Sequence, residues 1–249
     1  MREDDYIRVL RSRQVSGIVV ISGSHADTTA DMAIYRELVD VGLPLVLVNG
    51  YAPDIATPQI SDDDMSAMDQ AVAHLVALGH EHIGLAVGPR RYVPVQRKEQ
   101  GIRAAMARRL AGRGKVTVSN TVFSVDGGAR AAVPLLALPG THTWLDQGVS
   151  AIICGSDLMA LGAIRAARAQ GLTVPHDVSV IGSDDSALMR YTNPPLTSLR
   201  QDVGLISTMA VQSLMGLIRG DATFLGERLV RPELVKRGTT GPIRLAPAA

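Results

Sequence analysis

Ala151 to Gln201 reads AIICGSDLMALGAIRAARAQGLTVPHDVSVIGSDDSALMRYTNPPLTSLRQ. Ala151-Ile-Ile-Cys154 is a short apolar run of the kind that forms a strand buried on both faces. Gly155-Ser156-Asp157 interrupts it and supplies Ser and Asp oxygens for a helix N-terminus. Leu158 to Gln170 follows, with Leu161, Ile164 and Arg168 at helical spacing. Gly171 can end that helix in the left-handed conformation, and Pro175 blocks its return. Val178-Ser-Val-Ile181 is the next strand, and Gly182-Ser183-Asp184-Asp185 is the loop at its carboxyl end. The unit is β-α-β with an acidic residue at the carboxyl tip of each strand, where open α/β sheets bind ligands.

Strands and helices alternate outward from this stretch. Upstream, the pattern predicts helices over 2–14, 28–41, 65–78, 96–111 and 126–138. It predicts strands over 17–21, 45–48, 82–87 and 117–122, and loops over 49–60 and 139–148. Downstream come a helix over 203–219 and an extended segment over 227–236. Such alternation means β-α-β units and parallel sheets, and by itself allows one doubly wound sheet. The 249 residues suffice for one large domain or two small ones. A net charge of +1 gives no bulk attraction to nucleic acid or an anionic membrane. The single cysteine, Cys154, excludes an internal disulfide and reads as a small core hydrophobe. No apolar run approaches the length of a membrane span, and MREDDYIRVLRSRQ has no signal-peptide core. A cytoplasmic location with no membrane partner is the expectation.

CGSDLMALGA, GLTVPHDVSVIGSDD and PPLTSLRQD, in this order and spacing, closely resemble the sensor domain of the lactose/galactose-repressor (LacI/GalR) family of bacterial transcription regulators. HLVALGHEHIGLAVGP (74–89) and LVRPELVKRGTTGP (229–242) carry the resemblance over nearly the whole chain. It implies two α/β lobes of the type I periplasmic-binding-protein kind, each a doubly wound parallel sheet, with a hinge and a ligand cleft between them. Hinge crossings are expected near Gly88–Arg91, Leu199–Gln201 and Gly220–Ala222. The first lobe would be 1–88 plus 201–221, and the second 90–199 plus 222–249. Family members open with a helix-turn-helix head and a first sensor strand. This chain begins inside what looks like the first sensor helix, so both are expected to be missing. The missing strand is expected between the strands at 17–21 and 45–48, leaving their edges unpaired.

The resemblance also marks candidate ligand contacts. Asp157 and Asp184 match the family's effector-contacting acids, and carboxylates at strand tips accept hydrogen bonds from sugar hydroxyls. Asp157 has an alternative as a helix cap, and Asp185 suits ordering the loop. Ser156 stands where the family often has Asn, and Ser183 where it has Phe or Tyr. Lys98 holds the spacing of a ligand-binding Arg three residues before Gly101, with Arg97 beside it. Either contacts ligand or forms a solvated helix start, and Lys is not equivalent to Arg at a bidentate site. Gln201 lies at the second crossing. Asp63 matches a common acidic position, although Asp62, Asp63 and Asp64 also suit a helix N-terminus. Ser22 follows the first strand.

Enzyme motifs find little support. Gly112-Arg-Gly114-Lys115 lacks the upstream Gly and following Ser/Thr of a phosphate-binding loop, and no G-x-G-x-x-G follows a strand. His80-Glu81-His82 is not the i, i+4 pair of a zinc helix. Ser24, His25 and Asp27 are too close in sequence to imply a triad. Asp184 and Asp185 give no sign of flanking a glycosidic bond. The expectation is a non-enzymatic sensor with no cofactor, metal or catalytic residue. It binds a sugar or sugar derivative, forms a homodimer, and reaches operator DNA only through the missing head. The alternative is a periplasmic sugar-binding protein of a transport system.

Overall fold

The computed structural model describes residues 3–137 and 149–243. The loop expected at 139–148, the last residue of the helix expected at 126–138, Arg2 and residues 244–249 lie outside them. The chain divides into two compact units. The first holds residues 1–63, 91–94 and 202–231, and the second holds 64–90, 95–201 and 232–249.

The first unit has a four-stranded parallel sheet in the order β1 (Ile18–Ile21), β2 (Leu45–Val48), β3 (Gln59–Asp62), β9 (Glu227–Val230). Its helices are α1 (Glu3–Ser12), α2 (Ala33–Asp40) and α7 (Val203–Arg219). Side chains alternate across a strand, so each sheet face builds its own core. Ile18, Leu45 and Leu47 pack with Ile7, Tyr35 and Leu38 on one face. Val46, Val48, Ile60 and Val230 pack with Ile206 and Ala210 of α7 on the other. α7 begins where the Asp202 carboxylate accepts from the Leu205 N–H, and it ends at Gly220 in the left-handed region.

The second unit has six strands in the order β10 (Glu233–Val235), β8 (Thr197–Arg200), β7 (Ser179–Asp184), β6 (Ala151–Cys154), β4 (His82–Val87), β5 (Lys115–Asn120). Only β10 runs antiparallel to its neighbour. Its helices are α3 (Asp64–Ala77), α4 (Val93–Leu110), which starts in the first unit's 91–94 segment, α5 (Val125–Leu136) and α6 (Asp157–Ala169). Ile152, Cys154 and Val180 meet Ala131, Leu135, Met159 and Ala163 in its core. Cys154 is fully buried, as its sequence context predicts, and burial pushes its thiol pKa up.

Several expectations need correction. The segment 64–88 belongs to the second unit, because β4 is hydrogen-bonded between β5 and β6. The last crossing falls at 231/232 rather than at 220–222, because β9 pairs with β3. The tail expected as one extended segment therefore splits, with β9 in one sheet and β10 in the other. β1 and β2 pair directly over four residue pairs, so no gap lies between them. Among the described residues the outer edge of β1, like that of β9, has no partner strand, and Ile21 of β1 is 67% exposed. The helix expected from residue 28 starts at Ala33, because the Asp27 and Asp31 carboxylates bind the Thr29 and Ala33 N–H groups in local turns.

Candidate functional site

In the second unit β4, β5, β6, β7 and β8 are all parallel, so their carboxyl ends form one row with roughly 4.8 Å between strands. The chain runs from β4 to β5 on one side and then crosses to β6 on the other. The crevice between the ends of β4 and β6 is thus the topological switch point, the usual ligand position in such sheets.

Phe123 occupies that point. It lies in the loop between β5 and α5, which Asn120 fixes by donating to the Gly88 carbonyl at 2.9 Å. A Cβ on Gly88 would stand 2.0 Å from ring atom Cε2, and one on Gly155 would stand 3.2 Å from Cε1. The ring therefore rests on backbone at the tips of β4 and β6, and only glycine at 88 admits it. It remains 45% exposed. The sequence reading passed over Phe123. The available signal was an aromatic residue, one of only two Phe in the chain, just beyond a strand end.

Ser156 caps α6, its Oγ accepting from the Met159 N–H at 3.2 Å, and stays partly accessible at the tip of β6. Asp157 turns inward. Its Oδ2 accepts from the Ser186 N–H at 2.7 Å and the Ser186 hydroxyl at 2.9 Å, while Oδ1 accepts from the Ser198 hydroxyl at 2.6 Å. Burial raises its pKa, although the bonds from Ser198 and Ser186 oppose the rise. Both oxygens of this expected ligand contact are thus engaged in tying α6 to β8 and to the turn after β7. Ser183 is also turned in, donating to the Cys154 carbonyl at 2.9 Å.

Asp184 and Asp185 both have positive φ, 107° and 54°, which re-aims the chain at the tip of β7. Gln201, just past β8, donates from Nε2 to Asp184 Oδ1 at 3.0 Å. Asp185 orders the loop as expected, held by Arg200 Nε at 2.8 Å and Arg237 Nη1 at 2.6 Å. Burial pushes its carboxyl up, but the two guanidiniums outweigh that and hold it below the usual range. Arg97 is half-buried on α4, and Lys98 forms an ion pair with Asp64. Asp63 and Ser22 belong to the first unit. The Asp63 N–H donates to the Val230 carbonyl at 2.8 Å. Ser22, with φ 50°, ends β1 and borders a cavity of about 250 Å³ with Glu3, Ser24, Asp27 and Tyr92. The structure therefore gathers Ser156, Asp184 and Gln201 along one row with Phe123, and turns Asp157 and Ser183 away from it.

A depression of about 330 Å³ bordered by Leu161, Arg165, Arg168 and Asn193 lies instead toward the amino end of β8. Among the described residues no three or more His, Cys, Asp or Glu gather to hold a metal ion. No described helix is long and apolar enough to cross a membrane.

A mostly parallel sheet with polar groups and an exposed ring at its switch point has the architecture at which open α/β sheets take their ligands. A family model for periplasmic-binding-protein-like domains matches residues 72–240. An HTH-type transcriptional regulator from the aml 5' region of Streptomyces limosus is 48% identical over 241 residues, which cover 96% of this chain and 66% of the relative. HTH-type transcriptional regulator MalR of Streptomyces coelicolor is 45% identical over 242 residues, covering 96% and 68%. The dimeric lac repressor structure superposes with a TM-score of 0.83 at 26% identity, covering 97% of this chain and 83% of that one. The chain belongs to the LacI/GalR family of transcription regulators and corresponds to its sensor domain. It spans about two thirds of the length of these curated relatives.

Proposed function

We propose that this chain is the effector-binding and dimerisation part of a LacI-type regulator that senses a small sugar-like ligand. The observation that carries the reading is the exposed Phe123 ring at the switch point, in one row with Asp184 and Gln201. A flat apolar face with carboxylate and amide groups beside it suits the CH face and hydroxyls of a sugar. Phe123 stacks on the ring, Asp184 accepts from hydroxyls, and Gln201 and Ser156 supply neutral polar contacts. A ligand that favours a closed arrangement of the two units shifts the population toward it. That shift alters operator affinity through a helix-turn-helix head of the kind the relatives' names record, which puts the action in the cytoplasm. The names of those relatives favour this over a transport receptor.

Dimerisation is supported by exposed apolar side chains on the second unit. Leu188 and Tyr191 are 71% and 78% exposed on the short 3₁₀ turn after β7, while Met189 and Leu196 pack into the core. The lac repressor that the fold matches is itself dimeric. A thermal-shift screen of the purified protein against neutral sugars, sugar phosphates and purines tests the ligand reading. A ligand at 100 times its dissociation constant stabilises by about 2.7 kcal/mol. A shift with a sugar that Phe123→Ala abolishes is the expected result. A shift with purines alone, or one unchanged in Phe123→Ala, would refute the reading.

A further inference from the structure

The stacking face and the polar pair stand at different places along the row. Phe123 straddles the gap between β4 and β6, because its ring rests on Gly88 at one tip and Gly155 at the other. Gln201, just past β8, donates to Asp184 of β7 at 3.0 Å, so that pair straddles the gap between β7 and β8. The strands run in the order β8, β7, β6, β4. The two gaps are therefore two strand spacings apart, about 10 Å. Ser156, at the tip of β6, lies between them. Its Oγ accepts from the Met159 N–H, which leaves its hydroxyl hydrogen to give. Gln201 uses one N–H on Asp184 and keeps a second N–H and Oε1. The tips of β6, β7 and β8 are fixed to one another, since Ser186 and Ser198 both donate to Asp157.

A hydrogen bond covers only about 2.8 Å of the distance between the two gaps. One pyranose ring stacked on Phe123 leaves the Asp184–Gln201 pair out of reach, and one ring held at that pair leaves the Phe123 face bare. Two rings joined by a glycosidic bond engage both. We propose, resting on the sugar reading above, that the effector is a disaccharide or a longer oligosaccharide, laid along the strand tips with one ring on Phe123 and the next at the Asp184–Gln201 pair. The linking oxygen then falls beside Ser156, whose hydroxyl donates to it.

Calorimetric titration tests this with maltose, cellobiose, lactose and sucrose against glucose, galactose and fructose. At least one disaccharide is expected to bind about a hundredfold more tightly than either of its component monosaccharides, since two added hydrogen bonds contribute about tenfold each. Gln201→Ala is expected to weaken that disaccharide by about tenfold and to leave a monosaccharide stacked on Phe123 unchanged. Gln201→Met, of similar volume, replaces it should the first variant fold poorly. A monosaccharide that binds as tightly as any disaccharide overturns the inference, and its loss in Phe123→Ala keeps the sugar reading standing. A preferred disaccharide whose affinity is unchanged in the Gln201 variants also overturns it, since its second ring then lies elsewhere. If no sugar binds, the sugar reading falls and the inference falls with it.

Discussion

Asp157→Ala separates a positioning acid from a contacting one. The Asp157 carboxylate accepts three hydrogen bonds, from the Ser186 N–H, the Ser186 hydroxyl and the Ser198 hydroxyl. Bonds to a charged acceptor contribute about 1.5–3 kcal/mol each. Two terms reduce the sum. Ser186 is exposed, so water replaces part of what it loses. Burying the carboxylate is itself costly, as its raised pKa records. The buried Ser198 hydroxyl has no such relief, since it already accepts from the Asp185 N–H and must find a new acceptor. The net loss is about 3 kcal/mol, within the range for breaking a buried charged network. For a chain of this size that lowers Tm by about 6–12 °C. Asp184→Asn is the matched control. Asn tolerates positive φ and can still accept from Gln201, so stability changes by less than about 1 kcal/mol. Sugar affinity falls in both variants, in Asp184→Asn through lost acceptor strength and in Asp157→Ala through a loosened turn. Thermal unfolding followed by circular dichroism reads the difference. An Asp157→Ala protein with unchanged Tm and abolished sugar binding would show that Asp157 touches the ligand, and the assignment made here would be wrong.

Three further outcomes follow from the packing, the titrations and the surface. Gly162→Ala places a Cβ 1.9 Å from the Val125 carbonyl oxygen and 2.6 Å from the Ala129 nitrogen, where α5 and α6 touch through their backbones. The gain in helix propensity, about 1 kcal/mol, is outweighed by overpacking, and urea unfolding should show a net loss of about 2 kcal/mol. His80 is buried between Ser150 Oγ at 2.9 Å and the Gly241 carbonyl at 3.0 Å, and burial lowers its pKa from 6.5. The unfolded chain therefore takes up a proton first. This contribution to stability is complete above pH 6.5 and is lost as pH falls through the lowered folded value. The urea midpoint should drop between pH 7.5 and pH 5.5, and less steeply in His80→Gln; because His25 and His74 are lowered by burial too, some slope should remain. Asp185, held low by its guanidiniums, adds a further loss only as pH falls below 3.8. Leu188→Lys combined with Tyr191→Glu should convert a dimer to monomer by light scattering with Tm little changed, and an unaltered mass would remove this face from the interface.

The sequence was most readable where burial and local chemistry agree. The strands at 45–48, 82–87 and 151–154 and the helix at 203–219 lie where the apolar pattern put them. The strand Gln59–Asp62 was split between the loop expected at 49–60 and the helix N-terminus expected around Asp62, because its polar side chains are buried for backbone service. Gln59 donates to the Ala52 carbonyl at 2.8 Å and accepts from its N–H at 2.9 Å, and Ser61 donates to the Gly50 carbonyl at 3.2 Å. The tail at 227–236 could not be divided from its pattern, because the two halves differ in partner strand and not in composition. At the site, strand-tip position picked out Asp157 and Asp184 equally. What separates them is the depth of Asp157 and the donors on Ser186 and Ser198, which come from other elements. Phe123 was unread because a single exposed aromatic carries no periodicity. Its role depends on Gly88 and Gly155, which are distant in sequence.

The proposed sugar-type effector site is the strand-tip row of the second unit. Its most direct test is the dissociation constant of the sugar giving the largest thermal shift, measured by calorimetry for wild type and Phe123→Ala. Loss of the stacking face should weaken binding by about tenfold or more, with Tm of the free protein little changed. Equal dissociation constants for the two proteins would place the ligand elsewhere and contradict the account.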